Sequence, residues 1–236
     1  MQRYMHLYGA TSEKLAAVPI SIRAHALANP RAMMREPLTL EAHQGSRMIV
    51  DPLRLFDCCL ITDGAAVVLV TSVERARDLK QPPVRIAAMQ GLRSGRDEFI
   101  FAPPNLGINQ QAAGASTPRD IDLEVFRKAG VEHDDIDALY TYDAFSPLVL
   151  FVLERFGYCA AGEAADFVQG GRIGPRGALP VNTSGGLLSE AHVGGWNSIT
   201  EMVRQLRGTA GDGQIPDAKL LQWATCWGDS VILAAQ

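Results

Sequence analysis

From Pro118 to the C-terminus, segments of strand length alternate with segments of helix length, and this alternation restricts the chain to layered α/β architectures. Asp120–Ala129 carries Leu123 and Phe126 on one side and stops at Gly130, which predicts an amphipathic helix with a glycine C-cap. "IDALYTYDAF", residues 136–145, holds a strand. Ser146-Pro147 then supplies a cap and a first-turn proline for an apolar helix through Phe156. Leu179–Asn182 reads as another strand, and a helix follows the Gly185-Gly186 turn to about Leu206. "LLQWATCWGDSVILAAQ" reads as two strands around Gly228-Asp229.

The upstream part is less regular. Residues 10–29 predict a helix capped by Ser12, with Leu15, Val18, Ile22 and Ala26 at helical spacing. Residues 30–56 contain three prolines and no steady period, as expected of a long irregular excursion with short helical turns. Asp63-Gly64 is a turn, Ala65–Val70 has the length and character of a strand, and Ser72 can cap a short helix over 73–79. Gln81-Pro82-Pro83 breaks the chain, and Val84–Met89 is a further strand. Residues 90–117 read as loop with one helical turn. The organisation expected is therefore a unit over 1–82 and a second over 83–236.

Composition narrows the function classes. The 236 residues suffice for a real core, and 47% hydrophobic with 20% charged residues is the balance of a soluble globular protein. The net charge of −4, with no basic run, argues against nucleic acid as a ligand. No apolar run reaches membrane-spanning length, and "MQRYMHLYGATSEK" lacks the pattern of a secretory signal. The cysteines are Cys58, Cys59, Cys159 and Cys226, with no C-x-x-C, so neither a metal site nor a disulfide framework is expected and a reducing cytoplasm is.

Three positions set a chemically able side chain at a strand end beside a helix start, where open α/β sheets hold their ligands. They are Tyr142-Asp143, His192 and Cys226. Each alone has an ordinary reading: a packed phenol, a structural histidine, a small buried thiol. Cys58-Cys59 closes an apolar segment and reads as core. His6, His25, His43 and His133 sit among surface-type residues and are given no role, and "GDGQIPD", 211–217, reads as a surface loop.

Taken together, "PLRLFDCCLITDGAAVVLVTS", "YTYDAFSPLVLFVLERFGYC" and "PVNTSGGLLSEAHVGGW" resemble the thiolase superfamily in order and content along nearly the whole chain. The branch they are most similar to is the sterol-carrier or lipid-transfer type. The resemblance implies two layered α/β halves, a homodimer, and chemistry at the C–C bond next to a coenzyme A thioester, with no tightly bound cofactor. The family's first half begins upstream of what Met1 offers, so one complete C-terminal half (83–236) and an incomplete N-terminal half (1–82) are expected.

The resemblance also implies site residues. His192 stands where the family has the histidine of a Gly-His-Pro motif, here flanked by Ala191 and Val193. Cys226 with Gly228 resembles the late Cys-x-Gly motif, and Tyr142-Asp143-Ala144-Phe145 the His-Asp-Cys-Phe block with tyrosine first. That tyrosine and "SEAHVGGWN" resemble the lipid-transfer aldolases of steroid side-chain degradation, which cleave β-hydroxyacyl-CoA esters and work with a small OB-fold partner. The implied catalytic set is Tyr142, His192 and Cys226, with Asp143, Asn182, Gly185, Gly186 and Gly228 around the substrate and its oxyanion. Histidine near its ordinary pKa is a usable base at pH 7, whereas a phenol is a ready donor. The alternatives are an acyl-CoA acyltransferase, which requires an activated thiolate, and a non-catalytic subunit that keeps the fold.

Overall fold

The computed structural model describes residues 1–93, 113–115 and 117–236. Two helices, α1 (Gln2–Tyr8) and α2 (Ser12–Ala26), open the chain. A short α3 (Leu40–Gly45) follows, then a small antiparallel ribbon of β1 (Met48–Val50) and β2 (Leu53–Arg54). The main body is built from α4 (Val73–Arg77), β3 (Arg85–Gln90), α5 (Glu124–Ala129), β4 (Ala138–Thr141), α6 (Ser146–Arg155), α7 (Ala164–Phe167), α8 (Trp196–Leu206), β5 (Leu220–Ala224) and β6 (Ser230–Ala234). The larger sheet has the order β3-β6-β5-β4. β6 runs antiparallel to both neighbours, and β4 runs parallel to β5.

The alternation of β4 explains the layering, because successive side chains leave a strand on opposite faces. Ala138 and Tyr140 join Met202 of α8 in one cluster, while Leu139 joins Leu15, Val18, Ile22, Val149, Leu150 and Leu153 of α2 and α6 in the other. α6 is apolar around nearly its whole circumference, "SPLVLFVLER", and is correspondingly buried. Full burial of Leu15, Val18 and Ile22 contributes about 1.5–3 kcal/mol each. That core draws residues from both sides of Gln81-Pro82-Pro83. No helix among the described residues is long and apolar enough to cross a membrane.

Several local expectations need correction. The first long helix is capped by Thr11, whose hydroxyl accepts from Lys14 N–H at 3.2 Å, not by Ser12. Residues 65–70 form no strand: Val67, Leu69 and Val70 are 70–90% exposed, and among the described residues no neighbouring strand offers them a ladder. A strand is a paired object, and apolar residues alone do not make one. The helix expected from Asp120 begins at Glu124, because the Asp122 carboxylate accepts from Arg119 N–H and holds the preceding turn. Leu179–Asn182 contributes only one bridge, Val181 with Leu139, since Asn182 turns to a φ of 52°. The helix expected directly after Gly186 is split into a π-type turn over Gly186–Glu190 and then α8.

Two histidines taken as surface residues are buried. His25 Nε2 meets Ile173 O at 3.0 Å, and burial pulls its pKa down to about 4. His43 is fully buried 3.1 Å from Asp57, because the 30–57 excursion folds back over α2. His133 reaches Phe156 O at 2.6 Å. Most of the 90–117 loop lies outside the described residues.

Candidate active site

The parallel pair β4 and β5 brings two strand C-termini to the same sheet edge, and the bridge at Val181 adds a third segment beside them. Tyr142 is the first residue beyond β4. Asn182 is the first beyond the bridge. The turn joining β5 to β6, residues 225–229, closes the edge from the other side.

Asn182 welds two of these segments. Its Oδ1 accepts from Thr141 N–H at 2.9 Å and its Nδ2 donates to Thr141 O at 3.1 Å. One planar amide thus continues the sheet ladder where the backbone has already turned away, and asparagine is among the few residues that accept this positive φ. Asp143 performs the next step. Its carboxylate is fully buried and accepts from Leu187 N–H at 2.9 Å and Leu188 N–H at 3.3 Å. Burial pushes its pKa up to about 6, against the pull of those donors. The two leucine N–H groups therefore point at Asp143 and are not free to meet a substrate oxyanion. Asp143 and Asn182 build the floor of the loop.

The glycine pair makes that floor possible. A Cβ on Gly186 would lie 2.8 Å from Asn182 Nδ2 and closer still to Asp143 Oδ2, at a φ of 52°. At Gly185, with φ 105°, a Cβ would lie 2.7 Å from Ala26 Cβ, so α2 seats directly on the turn. Glu190 then fastens the turn's far end, accepting from Ser184 at 2.6 Å, Asn29 at 3.0 Å and Asn197 at 3.1 Å.

The loop delivers His192 to Tyr142. The phenol oxygen is 3.2 Å from His192 Nε2, and the rings meet edge to face with centroids 5.6 Å apart. Both side chains are half-buried. Burial, then the neighbouring Cys59 and Asp143, push the Tyr142 pKa up, so the phenol keeps its proton at neutral pH. Trp227 flanks the phenol at 6.2 Å between ring centroids, and Phe145 beside it is partly exposed.

Cys226 occupies a different place from its implied role. Its side chain packs against the main core, its carbonyl accepts from Arg155 Nη1 at 3.2 Å, and burial pushes its thiol up to about 12. It reaches Tyr142 only through its neighbour Trp227; among the described residues its thiol bonds neither Tyr142 nor His192. Gly228 turns β5 into β6, and its carbonyl accepts from Gln90 at 2.6 Å.

The thiol that does meet the histidine is Cys59, contrary to its reading as core. Its Sγ lies 3.2 Å from His192 Nδ1. Cys59 N–H donates to Ala144 O at 2.9 Å and Leu60 N–H to Leu187 O at 3.1 Å, so the 58–62 segment is laced onto both site loops. Thr62 Oγ1 accepts from His192 N–H at 2.8 Å. Nothing in the local sequence flags this, since 133 residues separate Cys59 from His192. Among the described residues there is no group of three or more His, Cys, Asp or Glu that could hold a metal ion.

A layered mixed sheet with a tyrosine–histidine pair seated on a glycine loop at its strand ends defines the chain as a thiolase-like protein. Residues 111–230, just over half of its length, match the family described as Thiolase C-terminal domain-like, and the chain belongs to that family. It is 44% identical over 89% of its length to the 17-hydroxy-3-oxo-4-pregnene-20-carboxyl-CoA lyase of Mycobacterium tuberculosis, covering 53% of that protein. Identity and coverage are the same, 44% over 89% of this chain and 53% of the relative, for the steroid side-chain-cleaving aldolase of Thermomonospora curvata. Among solved structures, the Ltp2-ChsH2(DUF35) aldolase superposes with a TM-score of 0.83 at 39% identity, over 99% of this chain and 61% of that one. The chain spans about half the length of the curated relatives it matches.

Proposed function

We propose that this chain carries the acid–base half of a retro-aldol site that cleaves a β-hydroxyacyl-CoA, with a bulky steroid-like acyl group as substrate. The observation that carries the reading is the Tyr142–His192 contact of 3.2 Å at the sheet edge, with a phenol held protonated beside an imidazole. Tyr142 meets the substrate's β-hydroxyl, and His192 takes up the proton released. As that proton leaves, the carbinol carbon becomes a ketone. The pair of electrons in the broken C–C bond passes to the thioester as an enolate, whose α-carbon then takes a proton back. Positioned acid–base groups of this kind contribute about 10²–10⁴ in rate.

The names and identities of the two lyase-type relatives support this reaction and a coenzyme A thioester as substrate. Acyl transfer would need a thiolate, and both candidate thiols are pushed the other way: Cys59 by burial and the Asp143 charge, Cys226 by burial. The paired name of the solved aldolase supports a second component, for which a small OB-fold protein is our choice, alongside a homodimer of this chain. We assign the assembly to the cytoplasm, with residues 83–236 as one thiolase-like unit and 1–82 as belonging to a second.

The test offers 17-hydroxy-3-oxo-4-pregnene-20-carboxyl-CoA to the chain, alone and with its candidate partner, and follows the ketone and the shortened acyl-CoA by mass spectrometry. Cleavage that disappears in His192→Ala supports the reading. Transfer of an acyl group to free coenzyme A without a ketone product refutes it.

A further inference from the structure

The imidazole of His192 is held between two hydrogen-bonding atoms of different strength. Nε2 faces the Tyr142 hydroxyl and Nδ1 faces the Cys59 sulfur, each at 3.2 Å. A neutral imidazole carries one N–H, so only two arrangements satisfy both contacts. In the first, Tyr142 O–H donates to Nε2 and Nδ1–H donates to sulfur. In the second, Cys59 S–H donates to Nδ1 and Nε2–H donates to the phenol oxygen. A thiol is a weak donor, a phenol a good one, and an unprotonated imidazole nitrogen a strong acceptor. The first arrangement pairs the best donor with the best acceptor and leaves the weaker N–H···S contact for the other side.

We propose that Cys59 is a positioning residue whose sulfur accepts from His192 Nδ1–H, fixing the tautomer that leaves Nε2 as the proton acceptor facing Tyr142. This rests on the retro-aldol reading above and deepens it. The substrate hydroxyl proton passes to the Tyr142 oxygen while the Tyr142 proton passes to Nε2, so no phenolate need exist beforehand. The ring then holds both protons, with Nδ1–H still directed at sulfur. With the opposite tautomer Nε2 is already protonated, and the relay has nowhere to deliver its proton.

Cys59 is built to hold this orientation. Its N–H is tied to Ala144 O, Leu60 is tied to Leu187 O, and Thr62 grips the His192 backbone N–H, so ring and backbone of His192 are registered from one short segment. Burial and the Asp143 charge keep the thiol protonated, which suits an orienting group and disfavours a nucleophile. The arrangement gives Cys59 the task that a carboxylate performs in hydrolase triads, with a neutral atom in its place.

The decisive measurement is long-range ¹H–¹⁵N NMR of the full chain labelled with ¹⁵N-histidine, His192 being assigned by its loss in His192→Ala. The parent is expected to show a protonated Nδ1 and an unprotonated Nε2. Cys59→Ser is expected to keep that pattern and Cys59→Ala to lose it. A parent protonated at Nε2, or a Cys59→Ala protein with the parent's tautomer, overturns the proposal. Because this readout needs no substrate, it stands apart from the fate of the retro-aldol reading. Where the assembled protein cleaves the β-hydroxyacyl-CoA, Cys59→Ala is expected to lower kcat by about 10–100-fold, the range seen when the partner that orients a metal-ligating histidine is removed, with Cys59→Ser restoring most of it.

Discussion

Replacing Gly186 with alanine tests the construction of the site most directly. Two costs are readable from its surroundings. At φ 52° an alanine occupies the left-handed region, which costs about 1–2 kcal/mol. The new methyl also presses on the Asp143 carboxylate and on Asn182 Nδ2, both fully buried, so one of them must move. Displacing the carboxylate weakens its bonds to Leu187 and Leu188 N–H, and hydrogen bonds to a charged group are worth about 1.5–3 kcal/mol each. The expected loss is about 3–5 kcal/mol, a large share of a typical domain's stability. Gly208→Ala is the matched control: its φ is 66° and no atom lies within 4 Å of the position a Cβ would take. It should show the backbone cost alone. Urea unfolding followed by circular dichroism and tryptophan fluorescence gives both values. If Gly186→Ala costs no more than Gly208→Ala, the carboxylate floor described above is wrong.

Other expectations follow from the same geometry. In the reconstituted activity, Tyr142→Phe and His192→Ala should each lower kcat by about 10²–10⁴ with smaller changes in KM, whereas Cys226→Ala should leave catalysis within a few-fold and act on stability. Two buried groups should give pH dependences of opposite sign. Asp143, raised to about 6, holds a proton in the folded state that the unfolded chain releases, so its contribution declines as pH rises from about 4 to about 6, by about 3 kcal/mol in all. His25, lowered to about 4, contributes stability that is present above about 6.5 and is lost as pH falls toward 4. Urea midpoints for Asp143→Asn and His25→Gln, each subtracted from the parent across pH 4–7, should slope in opposite directions. Asp122→Ala removes the buried carboxylate that pairs with the Arg155 guanidinium at 2.9 Å and accepts from Arg119, and should cost about 1.5–3 kcal/mol by the same unfolding assay, Arg155 keeping its bond to Cys226 O.

What could be read from the sequence depended on whether the signal was local. α2 and α6 were legible from the apolar content of their own segments, and Pro147 falls in the first turn of α6 as expected; their caps were not, since Thr11 caps α2 and α6 opens after Phe145 with no side-chain cap, Ser146 lying inside its first turn. β5 and β6 were legible because apolar runs flank Gly228-Asp229. Residues 65–70 have the same strand-like composition, yet extended pairing needs a neighbour, and composition cannot supply one. His25 and His43 looked like surface residues because their burial comes from remote segments, Ile173 for His25 and the chain reversal over 30–57 for His43. Within the site, Tyr142 and His192 announced themselves by chemistry at strand ends. Cys59 did not, because its partner is remote in the chain and a thiol beside Leu60 and Ile61 looks like core. Asp143 and Asn182 were legible as residues that belong at the site. Their actual work is to hold the backbone of the loop, which depends on side-chain direction.

The seat of α2 on Gly185 carries a lesson for how this chain can vary. The methyl of Ala26 already fills the space that any side chain at 185 would need, so position 26 is capped in size by position 185 and the reverse holds equally. Neither residue belongs to the Tyr142–His192 pair, and 159 positions separate them, yet enlarging either one pushes on the segment that ends in His192. α2 is thus a gauge for the histidine loop, and drift at its C-terminal turn is constrained by the packing of a turn that lies far along the chain.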